Sequence, residues 1–207
     1  MAKRNTRQLI LDAALILFNE DGLSKVSTNH IADEVDISPG NLYYHFKNKE
    51  DIVVQLFEHL SKKLEPLLQP PADHQLNAED MWLYIHLIFE RIWEYRFFYR
   101  SLADINDLDP MLSRKLKRLI ENKKSAATTI CMNLKAHSLM DLPDSEIEVI
   151  ADNITLTLCF WAYYKTQVSA NTSENVLAQG VKNILLTVAG HITEPEASNL
   201  RYLAEQY

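Results

Sequence analysis

Apolar residues recur along most of this chain at intervals of three and four, which is the spacing of one face of an α-helix. Residues that interrupt helices are scarce, with 4 glycines and 7 prolines among 207 residues. Hydrophobic residues make up 47% of the chain, which is enough to bury a sizeable core. The pattern therefore predicts an all-α protein, and we expect about nine helices.

We expect a cytoplasmic protein that has no contact with a membrane. No apolar run reaches the roughly 18 residues that a bilayer-spanning helix needs. The start, MAKRNTRQ, is basic, but the next segment contains Asp12 and is typical of an amphipathic helix, not of a signal peptide. Cys131 and Cys159 lie inside apolar helical segments, so we interpret them as buried thiols in preference to redox sensors.

The formal net charge of −7 argues against a protein whose whole surface binds nucleic acid. Basic side chains cluster within residues 3–7 and 47–49, and acidic ones lie between them within residues 33–36. These residues are Lys3, Arg4, Arg7, Lys47, Lys49, Asp33, Glu34 and Asp36. Any DNA footprint must therefore be small. The cations at 3–7 are either a solvated start of the chain or contacts to the adjacent minor groove or backbone.

Residues 27–46 have the pattern of a helix, a short turn and a second helix. Ser27 is a good N-cap for a helix that ends near Val35, and Asp36 tolerates the left-handed backbone that a turn can need. Ser38 can cap the second helix, with Pro39 at its first position. A preceding helix over 6–21, followed by Gly22 in a left-handed position, would brace the pair. This is the layout of a helix-turn-helix.

The second of these helices carries more rings than its inner face can hold. Leu42 and Phe46 are four residues apart and face inward, which leaves the side chains of 41 and 43–45 on the remaining arc. A tyrosine hydroxyl can donate to a phosphate oxygen, and its ring can contact a thymine methyl group. Gly40 allows the helix N-terminus to approach a phosphate closely. An ordinary three-helix bundle with exposed tyrosines is the alternative, and spacing alone does not separate the two.

Residues 6–52 resemble the DNA-binding domain of the TetR/AcrR family of bacterial transcriptional regulators. The run GNLYYHFKNKE, which starts at Gly40, is close to the most recognisable part of that domain. The matching residues are Ala13, Ala14, Phe18, Gly22, Ile31, Ala32, Ile37, Ser38, Gly40, Leu42, Tyr43, His45, Phe46 and Lys49. One departure is Val35-Asp36, where the family usually has Ala-Gly, and it adds a negative charge near the DNA.

The resemblance implies particular DNA contacts. The implied phosphate contacts are Thr28, Ser38, Tyr44, His45 and Lys49. The implied contacts at or near base edges are Tyr43 and Gly40, followed by Asn41. For Thr28 and His45, a purely structural position within the domain remains open.

A larger helical part follows the Pro-rich connector at 66–76. Asn77 is expected to cap a helix over 78–100 that carries eight aromatic residues, and such rings either fill a core or line a cavity. The family's C-terminal domain usually holds an effector pocket, which favours a cavity. The implied pocket residues are Trp82, His86, Phe89, Trp93, Cys131, Leu134 and Trp161. His86 and Glu90 could anchor a polar group or simply form a surface pair.

A loop is expected at 103–110, and then a helix over 110–139 that is rich in cations. These cations are Arg114, Lys115, Lys117, Arg118, Lys123 and Lys124. They form either a solvated face or a binding patch for an anionic ligand.

Two long helices, over 144–169 and 173–193, close the chain before a short tail at 194–207 of no assigned function. In the family these helices pair with their copies in a four-helix dimer interface. The implied interface residues are Ile154, Leu158, Trp161, Leu177, Val181, Ile184 and Val188. The same stripes could instead close the core of the monomer, and both roles can hold together.

We therefore expect a helix-turn-helix domain at 1–50, a connecting helix and joint at 51–76, and a ligand-binding and dimerisation domain at 77–207. The resemblance implies a homodimeric repressor, released from a pseudo-palindromic double-stranded DNA operator by a small, largely apolar or aromatic effector. The alternative is a DNA-bound regulator whose larger domain recruits a protein partner and has no small-molecule pocket. No metal-ligand spacing, Gly-rich phosphate loop or nucleophile elbow occurs, so we expect no enzyme, no cofactor and no metal.

Overall fold

The structure, a computed structural model, describes residues 5–70, 75–168 and 175–207, without the side chains of 106, 107 and 175. Over these ranges the chain forms eleven α-helices, one 3₁₀ helix and no strand, which confirms the all-α prediction. The α-helices are α1 Thr6–Asp21, α2 Thr28–Glu34, α3 Pro39–His45, α4 Lys49–Leu64, α5 Ala78–Glu94, α6 Arg96–Arg100, α7 Leu102–Leu108, α8 Pro110–Ala136, α9 Asp144–Val168, α10 Asn175–Ala189 and α11 Glu196–Glu205. None of these helices has the length and apolarity to cross a bilayer.

The N-terminal domain, α1–α3, is built by local capping interactions. The side chains of Ser27, Ser38 and Asn48 accept hydrogen bonds from the backbone N–H groups three residues later, as predicted for α2 and α3. Asp36 has a φ of 54°, so the turn between α2 and α3 takes the expected left-handed backbone. Gly22 has a φ of 90° with a ψ of 150°, so it has a positive φ but lies outside the left-handed helical region predicted for it.

The C-terminal domain, α5–α11, has more helices than the sequence predicts. The aromatic segment at 78–100 is interrupted at Tyr95, where φ −114° and ψ 35° leave the helical region between α5 and α6. The expected loop at 103–110 is largely α7, and the tail contains α11. The expected total of about nine was therefore too low. Tertiary contacts of the short helices supply the stability that their lengths alone would not.

Helix α4 connects the two domains, and the 3₁₀ helix Glu65–Leu68 continues it into the C-terminal domain. Aromatic pairs fill the junction: the ring centroids of Phe18 and Phe97 are 5.2 Å apart, and those of Phe57 and Phe98 are 5.6 Å apart. The buried apolar residues of the two domains form one continuous cluster. Displacement of either domain must therefore disturb the packing of the other.

Candidate nucleic-acid interface and ligand cavity

The outer face of α3 combines a bare backbone with polar and aromatic side chains. Leu42 and Phe46 are buried and hold the helix against its own domain. The exposed positions are Gly40, Asn41, Tyr43 and Tyr44. The side chain of Tyr44 is 84% exposed and its ring meets that of the half-buried His45 edge-on. The predicted arrangement, with an apolar side inward and phenols outward, is what the structure shows.

Two further predicted contact residues lie at helix starts beside this face. The hydroxyl of Ser38 accepts a hydrogen bond from the N–H of Asn41 at 3.2 Å, so it organises the first turn of α3. The hydroxyls of Thr28 and Tyr43 are 3.0 Å apart and share a hydrogen bond. Because Thr28 is at the start of α2, this bond ties the two helices together and fixes the position of the Tyr43 phenol.

The ammonium group of Lys49 bonds to the backbone of its own domain. It donates to the backbone oxygens of Leu23 at 3.0 Å and Val26 at 3.1 Å, in the link between α1 and α2. Arg7 stacks over the ring of Phe46 at 4.7 Å. Lys3 and Arg4 lie outside the described residues. Lys49 therefore braces the domain with two of its three donors, and its contact with a phosphate stays a prediction.

The N-terminal domain and the first half of α4 carry few cations. Residues 5–56 contain twice as many acidic as basic side chains. The basic ones are Arg7, Lys25, Lys47 and Lys49, and the acidic ones are Asp12, Glu20, Asp21, Asp33, Glu34, Asp36, Glu50 and Asp51. The exposed face of α3 therefore presents hydroxyl groups more than positive charge.

A buried asparagine of α1 completes the interruption between α5 and α6. The side-chain nitrogen of Asn19 donates to the backbone oxygen of Glu94 at 2.9 Å, and its side-chain oxygen accepts from the N–H of Phe97 at 3.1 Å. Arg100 donates to the backbone oxygen of Asn19 at 3.2 Å. One residue of the N-terminal domain thus satisfies the backbone groups that the interruption of the helix exposes.

An apolar cavity of about 50 Å³ lies inside the C-terminal domain between α5, α8, α9, α10 and the 3₁₀ helix. Its wall includes Leu67, Leu68, Ile85, Ile88, Cys131, Ile154, Ile184 and Lys123. Burial raises the pKa of the Cys131 thiol to about 11, so this group is an uncharged part of the wall. Both cysteines are buried, in agreement with the sequence-based interpretation.

Of the seven residues predicted for the pocket, only Cys131 lines this cavity. Phe89 and Trp161 instead pack on Gly180, and Leu134 is fully buried in the surrounding core. The ring of Trp93 faces the guanidinium groups of Arg96 at 5.0 Å and Arg100 at 6.0 Å. The sequence indicated that the rings belong in this domain, but it did not show which of them surround empty space.

Trp82 and His86 belong to a separate cluster at the far end of the chain. The hydroxyl of Tyr207 accepts from the indole nitrogen of Trp82 at 2.8 Å and lies 2.5 Å from Nδ1 of His86. Glu90 lies 3.5 Å from the other ring nitrogen of His86. These groups hold the residues after α11 against α5, which explains why they do not reach the cavity.

Five of the residues predicted for the dimer interface are buried inside the protomer. They are Ile154, Leu158, Val181, Ile184 and Val188, and four of them line the cavity. Trp161 and Leu177 are half-buried. A different stripe of α9 faces outward, consisting of Val149, Leu156, Phe160, Tyr163 and Tyr164. An outward apolar stripe of this kind is typical of a surface that another molecule covers.

Sequence reasoning missed most of the cavity wall, and for one of its residues, Lys123, it also misjudged the surroundings. It is 1% exposed, although it belongs to a segment expected to present a solvated basic face. The sequence did contain a sign of this burial, because Lys123 follows the buried Leu116 and Leu119 and precedes Ala127 at helical spacing.

Among the described residues, no group of three His, Cys, Asp or Glu side chains could hold a metal ion.

Two protein-family models match the chain. One, described as a bacterial transcriptional repressor, matches residues 59–200, and the other, described as bacterial regulatory proteins of the tetR family, matches residues 10–56. The regulator AcrR of Shigella flexneri is 42% identical over 55 residues, which are 27% of this chain and 26% of that protein. The probable acrEF/envCD operon repressor of Escherichia coli K12 is 36% identical over 87 residues, 39% of this chain and 35% of that protein. The chain thus matches about a third or less of these curated relatives.

Solved structures extend the similarity to nearly the whole chain. A TetR-family transcriptional regulator from Marinobacter aquaeolei VT8 is 32% identical with a TM-score of 0.89, covering 98% of both chains. The SmeT–triclosan complex has a TM-score of 0.67 at 17% identity, covering 93% of this chain and 94% of that one, and shows the same fold. Family models match both domains and a relative at 32% identity covers 98% of the chain, so this chain belongs to the TetR family of bacterial transcriptional regulators, with an N-terminal helix-turn-helix DNA-binding domain.

Proposed function

We propose that this regulator is a homodimeric repressor, released from a pseudo-palindromic operator when a small, largely apolar effector enters the cavity of the C-terminal domain. The observation that carries the proposal is the position of the cavity: its wall includes Leu67 and Leu68, in the 3₁₀ helix that continues α4. A ligand there would contact the same continuous segment that begins next to α3. The alternative, a regulator without a small-molecule pocket, is not favoured by an internal cavity.

The size of the cavity supports a release mechanism. Drug-sized ligands occupy sites of roughly 300 Å³ or more, so an effector must push the walls of this 50 Å³ space apart. Moving Leu67 and Leu68 would shift the C-terminal end of α4. An effector that favours the expanded conformation would thereby change the placement of α3. The resulting loss of operator affinity is set by how much more tightly the effector binds the expanded conformation than the closed one.

Two ion pairs connect α4 to the body of the C-terminal domain and would carry such a shift. Glu58 of α4 pairs with Lys115 of α8 at 2.8 Å, and this hydrogen bond lowers the pKa of the glutamate. Lys63 of α4 pairs with Glu94, the last residue of α5. Helices α5 and α8 both line the cavity. Helix α4, which supports the DNA-binding domain, is therefore attached to two walls of the cavity that an effector would move.

The second copy of the chain is expected to cover the outward stripe of α9. Residues 149, 156, 160, 163 and 164 all carry large apolar or aromatic side chains, and intervals of three, four and seven place them on one side of the helix. Leu186 of α10 is also exposed. A two-fold pair formed through these helices would present two copies of α3, which need to be about 34 Å apart to enter successive major grooves.

Tyr44→Ala tests the assigned DNA-contact face. We expect about tenfold weaker binding to a duplex selected from a random library by the wild-type protein, because the exposed phenol no longer reaches the DNA backbone. Fluorescence anisotropy measures the affinity. Tyr202→Ala is the matched control, since Tyr202 is also an exposed tyrosine but lies on α11. Equal affinities for wild type and Tyr44→Ala would remove Tyr44 from the contact face.

Leu156→Glu tests the proposed dimer. A carboxylate placed in an apolar interface has no partner. We therefore expect the dissociation constant of the dimer to rise about tenfold or more. Sedimentation velocity over a range of concentrations measures the change. Leu83→Glu serves as the control because Leu83 is similarly exposed but lies on α5. A dimer as stable as that of the wild type would exclude the α9 stripe as its centre.

A further inference from the structure

The cavity wall contains one charged side chain, that of Lys123, and this residue is fully buried. All other lining residues are uncharged, and most are aliphatic. Lys123 lies one residue before Lys124, which is partly exposed and pairs with Asp152 at 2.7 Å. The two neighbouring lysines of α8 thus differ in surroundings: one is at the surface with a carboxylate, and the other is beside the cavity.

The contacts of the buried ammonium do not neutralise its charge. Its nitrogen donates to the hydroxyl of Tyr99 at 2.9 Å and lies 3.8 Å from the sulfur of Cys159. Burial raises the pKa of the Tyr99 hydroxyl, which therefore remains a neutral phenol near neutral pH. Within the described parts of the chain, no carboxylate lies within ion-pair distance of Lys123.

A buried cation without an anion is strongly unfavourable, because the lost hydration is not replaced by an opposite charge. The hydroxyl of Tyr99 satisfies one of the three donors of the ammonium, and the sulfur is a weak acceptor for a second. A donor therefore remains for an acceptor that the described residues do not supply. The adjacent cavity is the place from which such an acceptor could approach.

We propose that Lys123 is the anchor for a carboxylate, and that the effector of this protein is a carboxylic acid whose apolar remainder fills the cavity. This inference rests on the proposed function, because it names the ligand class of the same cavity. The carboxylate would complete the hydrogen bonds of the ammonium and neutralise it. Ile88, Ile130, Leu158 and Val188 would contact the apolar remainder.

The small volume of the cavity favours a slender ligand. A flexible, unbranched acyl chain can enter by displacing a few side chains, whereas a rigid fused ring needs the whole volume at once. Matched pairs of a linear carboxylate and the primary alcohol of equal chain length therefore separate the contribution of the charge from that of the chain. Suitable probes are hexanoate, octanoate and decanoate with hexanol, octanol and decanol.

The experiment measures the binding of these probes to the full-length wild type, to Lys123→Met and to the control Lys124→Met by titration calorimetry. In the wild type, we expect each carboxylate to bind at least about tenfold more tightly than its alcohol. Lys123→Met is expected to abolish that preference while leaving alcohol binding unchanged, and Lys124→Met to retain it. Methionine matches lysine in length and suits an apolar site, so the variant is expected to fold.

The outcomes separate this inference from the proposed function. Equal binding of carboxylate and alcohol by the wild type would overturn the role of Lys123, while alcohol binding that releases DNA would leave the proposed function standing. An unchanged carboxylate preference in Lys123→Met would also overturn it. Binding of neither probe type would overturn this inference. If Lys123→Met does not fold, the wild-type comparison of acid and alcohol still decides the question.

Discussion

Replacing Asn19 by alanine is expected to lower the free energy of unfolding by about 3 kcal/mol, the largest effect predicted for a single residue of this protein. The variant removes two hydrogen bonds and leaves the backbone oxygen of Glu94 and the N–H of Phe97 without partners at a buried site. Asn19 itself is 7% exposed, so water cannot readily replace its amide group. Each unsatisfied buried group costs about 1–3 kcal/mol, which accounts for the total.

Thermal and urea unfolding measure this effect. A loss of 3 kcal/mol corresponds to a fall in Tm of roughly 6–12 °C for a chain of this size. Asn199→Ala is the matched control, because Asn199 is exposed on α11 and its substitution is expected to change stability by less than about 0.5 kcal/mol. If Asn19→Ala unfolds with the wild-type midpoint, the interruption between α5 and α6 does not depend on this side chain.

Gly180→Ala is expected to destabilise the protein by about 2 kcal/mol, although alanine normally stabilises a helix interior. A Cβ atom at this position would lie 2.5 Å from Cε1 and 2.6 Å from Cζ of Phe89, and 2.9 Å from Cδ1 of Trp161. Both rings lie in a packed region and cannot move without displacing other side chains. Overpacking costs up to about 3 kcal/mol, and contacts this short put Gly180→Ala at the upper end, which exceeds the gain of about 1 kcal/mol in helix propensity.

The second glycine of this region provides the control, and a second-site change provides the rescue. A Cβ at Gly190 would make only ordinary contacts, the shortest at 3.5 Å, so Gly190→Ala should be neutral or slightly stabilising. Phe89→Leu removes the two ring atoms nearest to Gly180, so it should restore part of the stability that Gly180→Ala loses. Strictly additive effects in this double-mutant cycle, measured by thermal unfolding, would show that the ring is not the cause.

Features that depend on neighbours in the sequence were predictable. The caps Ser27, Ser38 and Asn48 act on backbone groups three residues away, so the ends of α2, α3 and α4 can be read from the sequence. The inward side of α3 follows from the spacing of Leu42 and Phe46 in the same way. The outer face of α3 was therefore identified correctly, while its individual DNA contacts remain predictions.

Features that depend on distant residues were not predictable. The backbone groups exposed by the interruption at Tyr95 bond to Asn19, which lies 75 residues before Glu94. No pattern in the neighbouring sequence predicts this contact. Lys49 turns inward because the carbonyl groups of Leu23 and Val26 lie within reach of its side chain. Helix α9 has two apolar stripes, and periodicity alone could not decide which of them faces the core. The true inward stripe includes Ile154 and Leu158.

The scarcity of positive charge in the N-terminal domain affects how the regulator finds its target. Non-specific attraction to duplex DNA arises almost entirely from the release of counter-ions by lysine and arginine, and the ammonium of Lys49 is engaged by carbonyl groups. We therefore expect arbitrary chromosomal sequences to retain this protein only weakly, so that little of it is sequestered along the genome. Residence at a cognate site is then expected to depend on the short-range fit of α3, with occupancy governed by discrimination between sequences more than by general affinity for nucleic acid.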